Sequence, residues 1–252
     1  MMKKYMITAI LILLSVTIKA SSADSLFEAA NKAYSAGEYT TAQSLYQKLE
    51  NSGFKTTEIL YNLGNTFYKQ NNLAKSILYF ERAKRIKPND KEINFNLQLA
   101  RTYTIDKIDE IPPFFMQRWL KSVTLFLSYN VWYVLSILSF VLFTVLLLIY
   151  FFTGRFSLKK ISFVSGVITL ILSVSFFLFG NNRYNFQTAK NEAIIMTSNV
   201  TVKGSPDYSG TDLFVIHAGS KIILEDELAG WFKIKIADGN VGWIPGDNLE
   251  VI

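Results

Sequence analysis

Apolar residues recur along the chain with several different spacings. A basic and apolar start precedes a long segment in which apolar residues return every three to four positions, as on one face of a helix. Two uninterrupted apolar runs come next, and short β-branched runs separated by turn residues follow. The segments are residues 1–23, 24–110, 131–152 with 161–180, and 191–252. The predicted fold class is a multi-domain membrane protein with α-helical hairpins, a two-helix transmembrane hairpin and an all-β barrel.

Residues 1–23 have the composition of a secretory signal peptide. Lys3 and Lys4 form a basic start, and the stretch from Ile7 to Ile18 is an apolar run of suitable length. Small residues at Ser21-Ser22-Ala23 predict cleavage before Asp24. The alternative is an uncleaved anchor helix. With either one, the segment after it is expected to be exported.

A sequence repeat with a period of about 34 residues is the most specific pattern in the chain. It relates the windows Ala23–Thr56 and Thr57–Asp90. The second window resembles the tetratricopeptide repeat, which has two helices, small or apolar residues at set positions and a proline that stops the second helix. The matching residues are Leu60, Leu63, Gly64, Phe67, Leu73, Phe80, Ala83 and Pro88. The resemblance implies that Gly64 lies where the two helices approach most closely.

The flanks of this window fit the repeat less completely. The first window has Ala29-Ala30 in place of the Leu-Gly pair and Phe54 where proline is expected. Residues 91–104 begin a third helix that no full second helix follows, so we interpret them as a capping helix. An ordinary helical hairpin bundle is the alternative, and the regular period favours the repeats.

The middle of the chain is predicted to meet a membrane. Residues 111–129 combine aromatic residues with Arg118 and Lys121, as expected of an interfacial amphipathic helix; the alternative is the start of the next spanning helix. Residues 131–152 and 161–180 contain no charged residue. Each run is long enough to cross a hydrocarbon layer of roughly 30 Å.

Charge predicts how this hairpin is oriented. The loop of residues 153–160 contains three basic residues and no acidic one, so it is expected on the cytoplasmic side. Both large regions would then be periplasmic, in agreement with the signal peptide. The sequence thus predicts a multi-pass protein of the bacterial inner membrane.

Residues 191–252 resemble bacterial SH3-like domains from end to end. The resemblance depends on four blocks, of which the last two are the most specific. They are Val200-Thr-Val-Lys-Gly-Ser-Pro206, His217-Ala-Gly219, Gly230-Trp-Phe-Lys-Ile234 and Asp238-Gly-Asn-Val-Gly-Trp-Ile-Pro245.

The residue types that are missing argue against catalysis. The chain has no cysteine and one histidine, which excludes thiolate and polyhistidine metal sites and cysteine nucleophiles. We therefore expect no enzyme activity, no cofactor and no bound metal. The net charge of +6 lies mainly beside the apolar runs, so we expect contact with the lipid bilayer and no nucleic-acid binding.

The order of these modules resembles the BatE family of the Bacteroidetes aerotolerance operon. That resemblance implies a periplasmic scaffold in a stress assembly. The implied partners are membrane-anchored von Willebrand A-domain proteins and a MoxR-type ATPase system. The rival interpretation is a cell-wall adaptor whose SH3-like domain contacts peptidoglycan and whose repeats recruit an enzyme.

Tetratricopeptide repeats bind extended peptides on the face formed by the first helix of each repeat. The register predicts a peptide-binding groove lined by Phe27, Asn31, Tyr34, Tyr61, Asn62, Asn65, Tyr68, Lys69 and Phe95, with Asn96 beside it. In some families two asparagines and three cations clamp a peptide carboxylate. Here Asn31 and Asn62 match the asparagines, but the cation positions hold Phe27, Glu92 and Asn96. An aromatic groove is therefore favoured over a clamp, and the alternative is that these residues only pack or face water.

A second candidate ligand face lies in the β region. Trp231, Trp243 and Pro245 could form an aromatic ledge of the kind that binds proline-rich chains. In small barrels such residues also fill the core, and the sequence leaves both possibilities open.

Overall fold

The computed structural model describes residues 23–108 and 114–252, which form two compact units. One unit joins the described residues up to 108 with Lys190–Ile252, and the other lies between residues 114 and 189. Residues 1–22 of the expected signal peptide, and residues 109–113, lie outside the described residues.

The repeat region consists of two helix pairs followed by a single helix. They are α1 (residues 23–35), α2 (Tyr39–Asn51), α3 (Thr57–Lys69), α4 (Leu73–Ile86) and α5 (Lys91–Thr102). Side chains of Thr56, Asn72 and Asp90 accept backbone hydrogen bonds at the starts of α3, α4 and α5, where helical N–H groups lack partners. Gly37 and Asn71, which hold the same position of successive repeats, both have positive φ in the turns between paired helices. The register of the sequence repeat is thus present in the backbone.

Helices α3 and α4 pack closely at Gly64. A Cβ atom at this position would lie 2.6 Å from carbons of the Phe80 ring. The hydroxyl of Ser76, on α4, donates to the carbonyl oxygen of Gly64 at 2.9 Å. Small residues at both positions therefore allow the helix contact that the register predicts.

The second unit contains α6 (Phe115–Phe126), α7 (Tyr129–Phe152) and α8 (Phe156–Thr188). Helices α7 and α8 are antiparallel neighbours, joined by hydrogen bonds in which Ser136 and Ser173 each donate to the other's carbonyl oxygen, at 2.9 and 3.0 Å. A row of small residues on α8 is buried, which permits this close packing. It consists of Ser162, Gly166, Ser173 and Gly180.

The helix limits differ from those expected. Helix α8 starts at Phe156, so most of the expected loop of residues 153–160 is helical, because no glycine or proline interrupts the sequence after Gly154. It also continues beyond residue 180 through polar residues to Thr188. The described part of the expected interfacial segment 111–129 forms the shorter α6.

Helices α7 and α8 are long and apolar enough to span a membrane. Their outward sides are apolar and exposed, as Ile137, Leu138 and Phe163 illustrate. Exposed apolar surface of this extent is unfavourable in water and is typical of surface that contacts lipid.

The β region is one antiparallel sheet of seven strands, in the order β3-β2-β6-β5-β4-β1-β7. The strands are β1 (Glu192–Ile195), β2 (Asn199–Lys203), β3 (Asp212–His217), β4 (Lys221–Leu228), β5 (Trp231–Lys235), β6 (Val241–Pro245) and β7 (Leu249–Val251). A short 3-10 helix (Gly246–Asn248) connects β6 to β7. One face of the sheet forms a core that includes Val202, Ile222, Ile234 and Ile244.

Strand β1 packs against the repeats. Ile194 is fully buried in one apolar cluster with Ile77 and Leu78 of α4 and with Leu97 of α5. The repeat region and the β region, which the sequence predicts to be separate modules, therefore share a core. The β region covers apolar surface at the end of the repeat array, as a capping element does.

Ion pairs surround this shared core. Arg85 of α4 is 6% exposed, lies 3.0 Å from the Glu192 carboxylate and donates to the backbone oxygen of Ile252 at 2.8 Å. Lys221 lies 3.0 Å from Glu192 and 3.1 Å from Glu81, which is 4% exposed. Burial alone would raise the pKa of Glu192, but Lys221 and Arg85 together lower it.

A second polar contact holds the segment after α5 against the β region. Asp106 accepts hydrogen bonds from the backbone N–H of His217 at 2.7 Å and from the hydroxyl of Ser220 at 2.5 Å. Its other oxygen lies 2.7 Å from Nδ1 of His217. Burial opposes ionisation of Asp106, yet the bonds from Ser220 and His217 lower its pKa. His217 thus has a structural contact.

Replacement of Gly64 by leucine should destabilise the repeat region by about 1–3 kcal/mol, because the added side chain would enter the space of the Phe80 ring. Thermal unfolding of the full chain in detergent would measure the effect. Gly154→Leu is the matched control, since a Cβ at Gly154 meets no atom within 4 Å. Equal melting temperatures for the two variants would contradict the packing.

The unit of repeats and β region should lose stability in acid. The folded-state pKa values of Glu192 and Asp106 are lowered from the ordinary values of 4.5 and 3.8. The two ionised carboxylates therefore stabilise the fold fully above the ordinary values. This stabilisation is lost as the pH falls through the lowered folded-state pKa values. Glu192→Gln should cost about 1–3 kcal/mol at pH 7 and flatten the decline between pH 5 and pH 3. Unfolding monitored at each pH tests this, with exposed Glu227→Gln as the control. An unchanged pH profile in Glu192→Gln would refute it.

Candidate functional site

The first helices of the repeats, α1, α3 and α5, are linked side by side through asparagines. Asn62 donates from Nδ2 to Oδ1 of Asn31 at 3.1 Å, and Asn96 donates from Nδ2 to Oδ1 of Asn65 at 2.9 Å. Asn31 and Asn65 hold the same position of successive repeats, and so do Asn62 and Asn96. The two bonds are therefore equivalent contacts, one repeat apart. We call this amide-lined side of α1, α3 and α5 the helix A face.

Each amide link leaves hydrogen-bonding groups unused. Within the described residues, Nδ2 of Asn31 and of Asn65 and Oδ1 of Asn62 and of Asn96 form no protein hydrogen bond. An asparagine amide has two donors and an acceptor, the same groups that a peptide backbone requires of a binding surface. The face can therefore both donate to and accept from an extended chain.

Tyrosine hydroxyls hold the amides in place. Tyr46 of α2 donates to Oδ1 of Asn31 at 2.5 Å, and Nδ2 of Asn96 also donates to the hydroxyl of Tyr61 at 2.8 Å. Burial, aided by the nearby Tyr34, raises the pKa of Tyr46 to about 12, although Asn62 opposes the shift. The hydroxyl of Tyr46 therefore stays protonated at neutral pH and remains a donor.

Three aromatic residues occupy equivalent positions with different surroundings. Phe27 packs edge-on against Tyr46, with ring centroids 6.0 Å apart, and Tyr61 packs against Phe80 at 5.8 Å. Phe95 is the third, and it is 64% exposed. The first two contact the second helix of their own repeat, whereas no second helix pairs with α5 in this way among the described residues.

The remaining residues of the predicted groove lie along the helix A face. Tyr68 packs edge-on against Tyr103 at 6.2 Å, Tyr34 packs against Tyr39 at 5.5 Å, and Lys69 is exposed. Tyr103 is absent from the groove expected from the sequence. Its position two helical turns after Asn96 places it on the same side of α5 and could have identified it.

The positions that would supply cations to a carboxylate clamp contain none. Phe27 is packed within the repeat core, Asn96 bonds to Tyr61 and Asn65, and Glu92 is an exposed acid. The geometry is consistent with an amide and aromatic groove.

The proposed ligand residues of the β region share one face. Trp231 lies directly opposite Pro245 across strands β5 and β6, and Trp243 lies opposite Lys233. The core residues Ile234 and Ile244 belong to the other face, because side chains alternate along a strand. Trp231 is only 8% exposed, partly because Tyr208 packs edge-on against it at 4.9 Å. Trp231 is thus largely a packing residue, and Trp243 and Tyr208 offer more open surface.

Across residues 23–108 and 114–252, no group of three or more histidine and acidic side chains could hold a metal ion. Glu192 and Asp106 both have lowered pKa values. Each carboxylate is held by the contacts described above, which join the repeat region to the β region.

Comparison with known families identifies one part of the chain. No curated protein shows significant similarity to it. Residues 57–90 match the family model described as Tetratricopeptide repeat, with the limits that the sequence period predicts for the second window. The match confirms this prediction at α3 and α4, of which α3 is the central helix of the helix A face. Residues 57–90 are a tetratricopeptide repeat, and such repeats indicate a protein–protein interaction scaffold.

Proposed function

We propose that this protein is a membrane-anchored scaffold that binds an extended segment of a partner protein on the helix A face and catalyses no reaction. The observation that carries the proposal is the repeated asparagine link between α1, α3 and α5. It places partly unsatisfied amides in a row beside tyrosine rings. Such a row suits a peptide backbone and its apolar side chains.

A membrane anchor is proposed from the second unit. Helices α7 and α8 have the length and composition of a spanning hairpin, and their serine and glycine contacts satisfy polar groups internally. A hairpin that crosses a membrane twice returns the chain to its starting side. Because residues before and after the hairpin fold as one unit, they must lie together on that side.

We assign that side to the periplasm. The signal-like residues 1–23 favour export of the segment after them, and Arg155, Lys159 and Lys160 favour a cytoplasmic turn. Exposed Trp119 on α6 suits the membrane interface. The resulting location is the bacterial inner membrane.

The resemblance to the BatE family makes a stress-related assembly our proposed setting. Membrane-anchored von Willebrand A-domain proteins and a MoxR-type ATPase system are then the first candidate partners. The SH3-like β region has a capping role in this proposal, with Trp243 and Tyr208 as further surface for contact.

The proposed topology can be tested by cysteine labelling, since the chain contains no natural cysteine. Cysteines at exposed Ser44 and Ser209, one in each half of the first unit, should both react with an impermeant maleimide in spheroplasts. A cysteine at Ser157 should react only after the membrane is permeabilised. Unequal labelling of Ser44 and Ser209 positions would contradict the single-sided unit.

Binding on the helix A face can be tested with Tyr61→Phe combined with Asn65→Leu. Phenylalanine keeps the ring packing, and leucine matches Leu99 at the equivalent position of α5. Lost hydrogen bonds should cost folding about 0.5–1.5 kcal/mol each, whereas partner binding should fall by roughly 2 kcal/mol or more.

Affinity purification from native membranes would measure partner recovery, and thermal unfolding would verify folding. Gln98→Leu is the control, because Gln98 is exposed on α5 away from the asparagines. Full recovery of partners by the double variant would show that the helix A face is not the binding surface.

A further inference from the structure

The helix A face carries acidic residues in the same register as its asparagines. Asp24, Glu58 and Glu92 occupy one position of the three successive helices. Glu28 holds the position on α1 that Asn62 holds on α3. All four carboxylates belong to exposed residues. Adjacent packed helices lie roughly 10 Å apart, so these charges act on the same bound chain.

The cations on these helices lie mainly beside the groove positions. Lys87 lies 2.9 Å from Glu58, which lowers the pKa of that carboxyl, and Lys69 is exposed near the end of α3. Exposed Lys32 and Lys91 are one residue away from Asn31 and Glu92, at the edges of the face. Asp24, Glu28 and Glu92 form no ion pair within the described residues. At the groove positions and the acidic positions of the register, four carboxylates thus outnumber one cation, Lys69, and the charge at those positions is negative.

Helix polarity explains only part of this pattern. Glu58 and Glu92 are in the first turns of α3 and α5, where an acid is favoured by the helix dipole. That effect does not account for the missing cations at the clamp positions, where Phe27 and Asn96 serve packing and the amide link. At the clamp positions, a free C-terminal carboxylate would meet Glu92 and no cation.

We infer that the helix A face binds an extended internal segment of a partner that carries lysine or arginine, and not a free C-terminus. The inference rests on the proposed function and names the chemical class of its ligand. The amides bond to the backbone of the segment, the tyrosine rings contact its apolar groups, and the carboxylates attract its cations.

Peptide display distinguishes these ligand classes. The full protein in nanodiscs is panned against two random dodecapeptide libraries, one flanked by protein on both sides and one ending in a free carboxylate. The flanked library should yield binders enriched in lysine and arginine. Enrichment from the free-carboxylate library, enrichment of neutral or acidic peptides, or no enrichment from either library would overturn the inference.

Matched variants locate the effect. With an enriched peptide, Glu28→Gln combined with Glu92→Gln should weaken binding about tenfold at low salt and less at high salt, because screening reduces the same attraction. Glu227→Gln, an exposed carboxylate on β4, should leave the affinity unchanged. Equal affinities for all three proteins would also overturn the inference.

The inference and the proposed function can fail separately. Loss of native partners in the Tyr61→Phe, Asn65→Leu variant with a negative display result would retain the scaffold and reject the basic internal ligand. Retention of all native partners in that variant would reject the scaffold function of the face itself.

Discussion

The buried contact between α4 and β1 is the constraint on which the rest of the first unit depends. Helix α4 is packed on one side against α3, where Gly64 admits the Phe80 ring, and on another against Ile194. Arg85 would be costly to bury alone, and Glu192 and the backbone oxygen of Ile252 compensate it. Apolar burial thus stabilises the contact between α4 and β1, and the ion pairs compensate the charges that are buried beside it.

This contact joins segments that lie far apart in the chain. Residues 114–189 form a separate unit, and the first unit is built from the segments that precede and follow it in the chain. Between α7 and α8, reciprocal bonds from Ser136 and Ser173 satisfy both hydroxyl groups within the helix pair. The hairpin topology that we propose returns the chain to its starting side, which is what the folding of the first unit requires.

On the helix A face, residues that we propose for recognition also take part in packing. Tyr61 contacts Phe80 and also accepts a hydrogen bond from Asn96. It therefore stabilises the repeats, and its ring lies at the border of the proposed groove. The asparagines likewise use part of their hydrogen-bonding capacity on neighbouring helices. A surface whose side chains are held by one another loses little conformational entropy when a ligand arrives.

Local patterns in the sequence predict several parts of this structure. The repeat period located the repeat at residues 57–90 and the close approach at Gly64, because helix pairing depends on residues near in sequence. Apolar length likewise identified α7 and α8. The tertiary structure alone decided that β1 covers α4 and α5, that Asp106 bonds to His217, and that Phe95 is left exposed. The first two contacts join residues that are far apart in the chain, and Phe95 is exposed because no second helix pairs with α5 among the described residues. The periodicity of one helix or strand contains no information on which distant surface will cover that element.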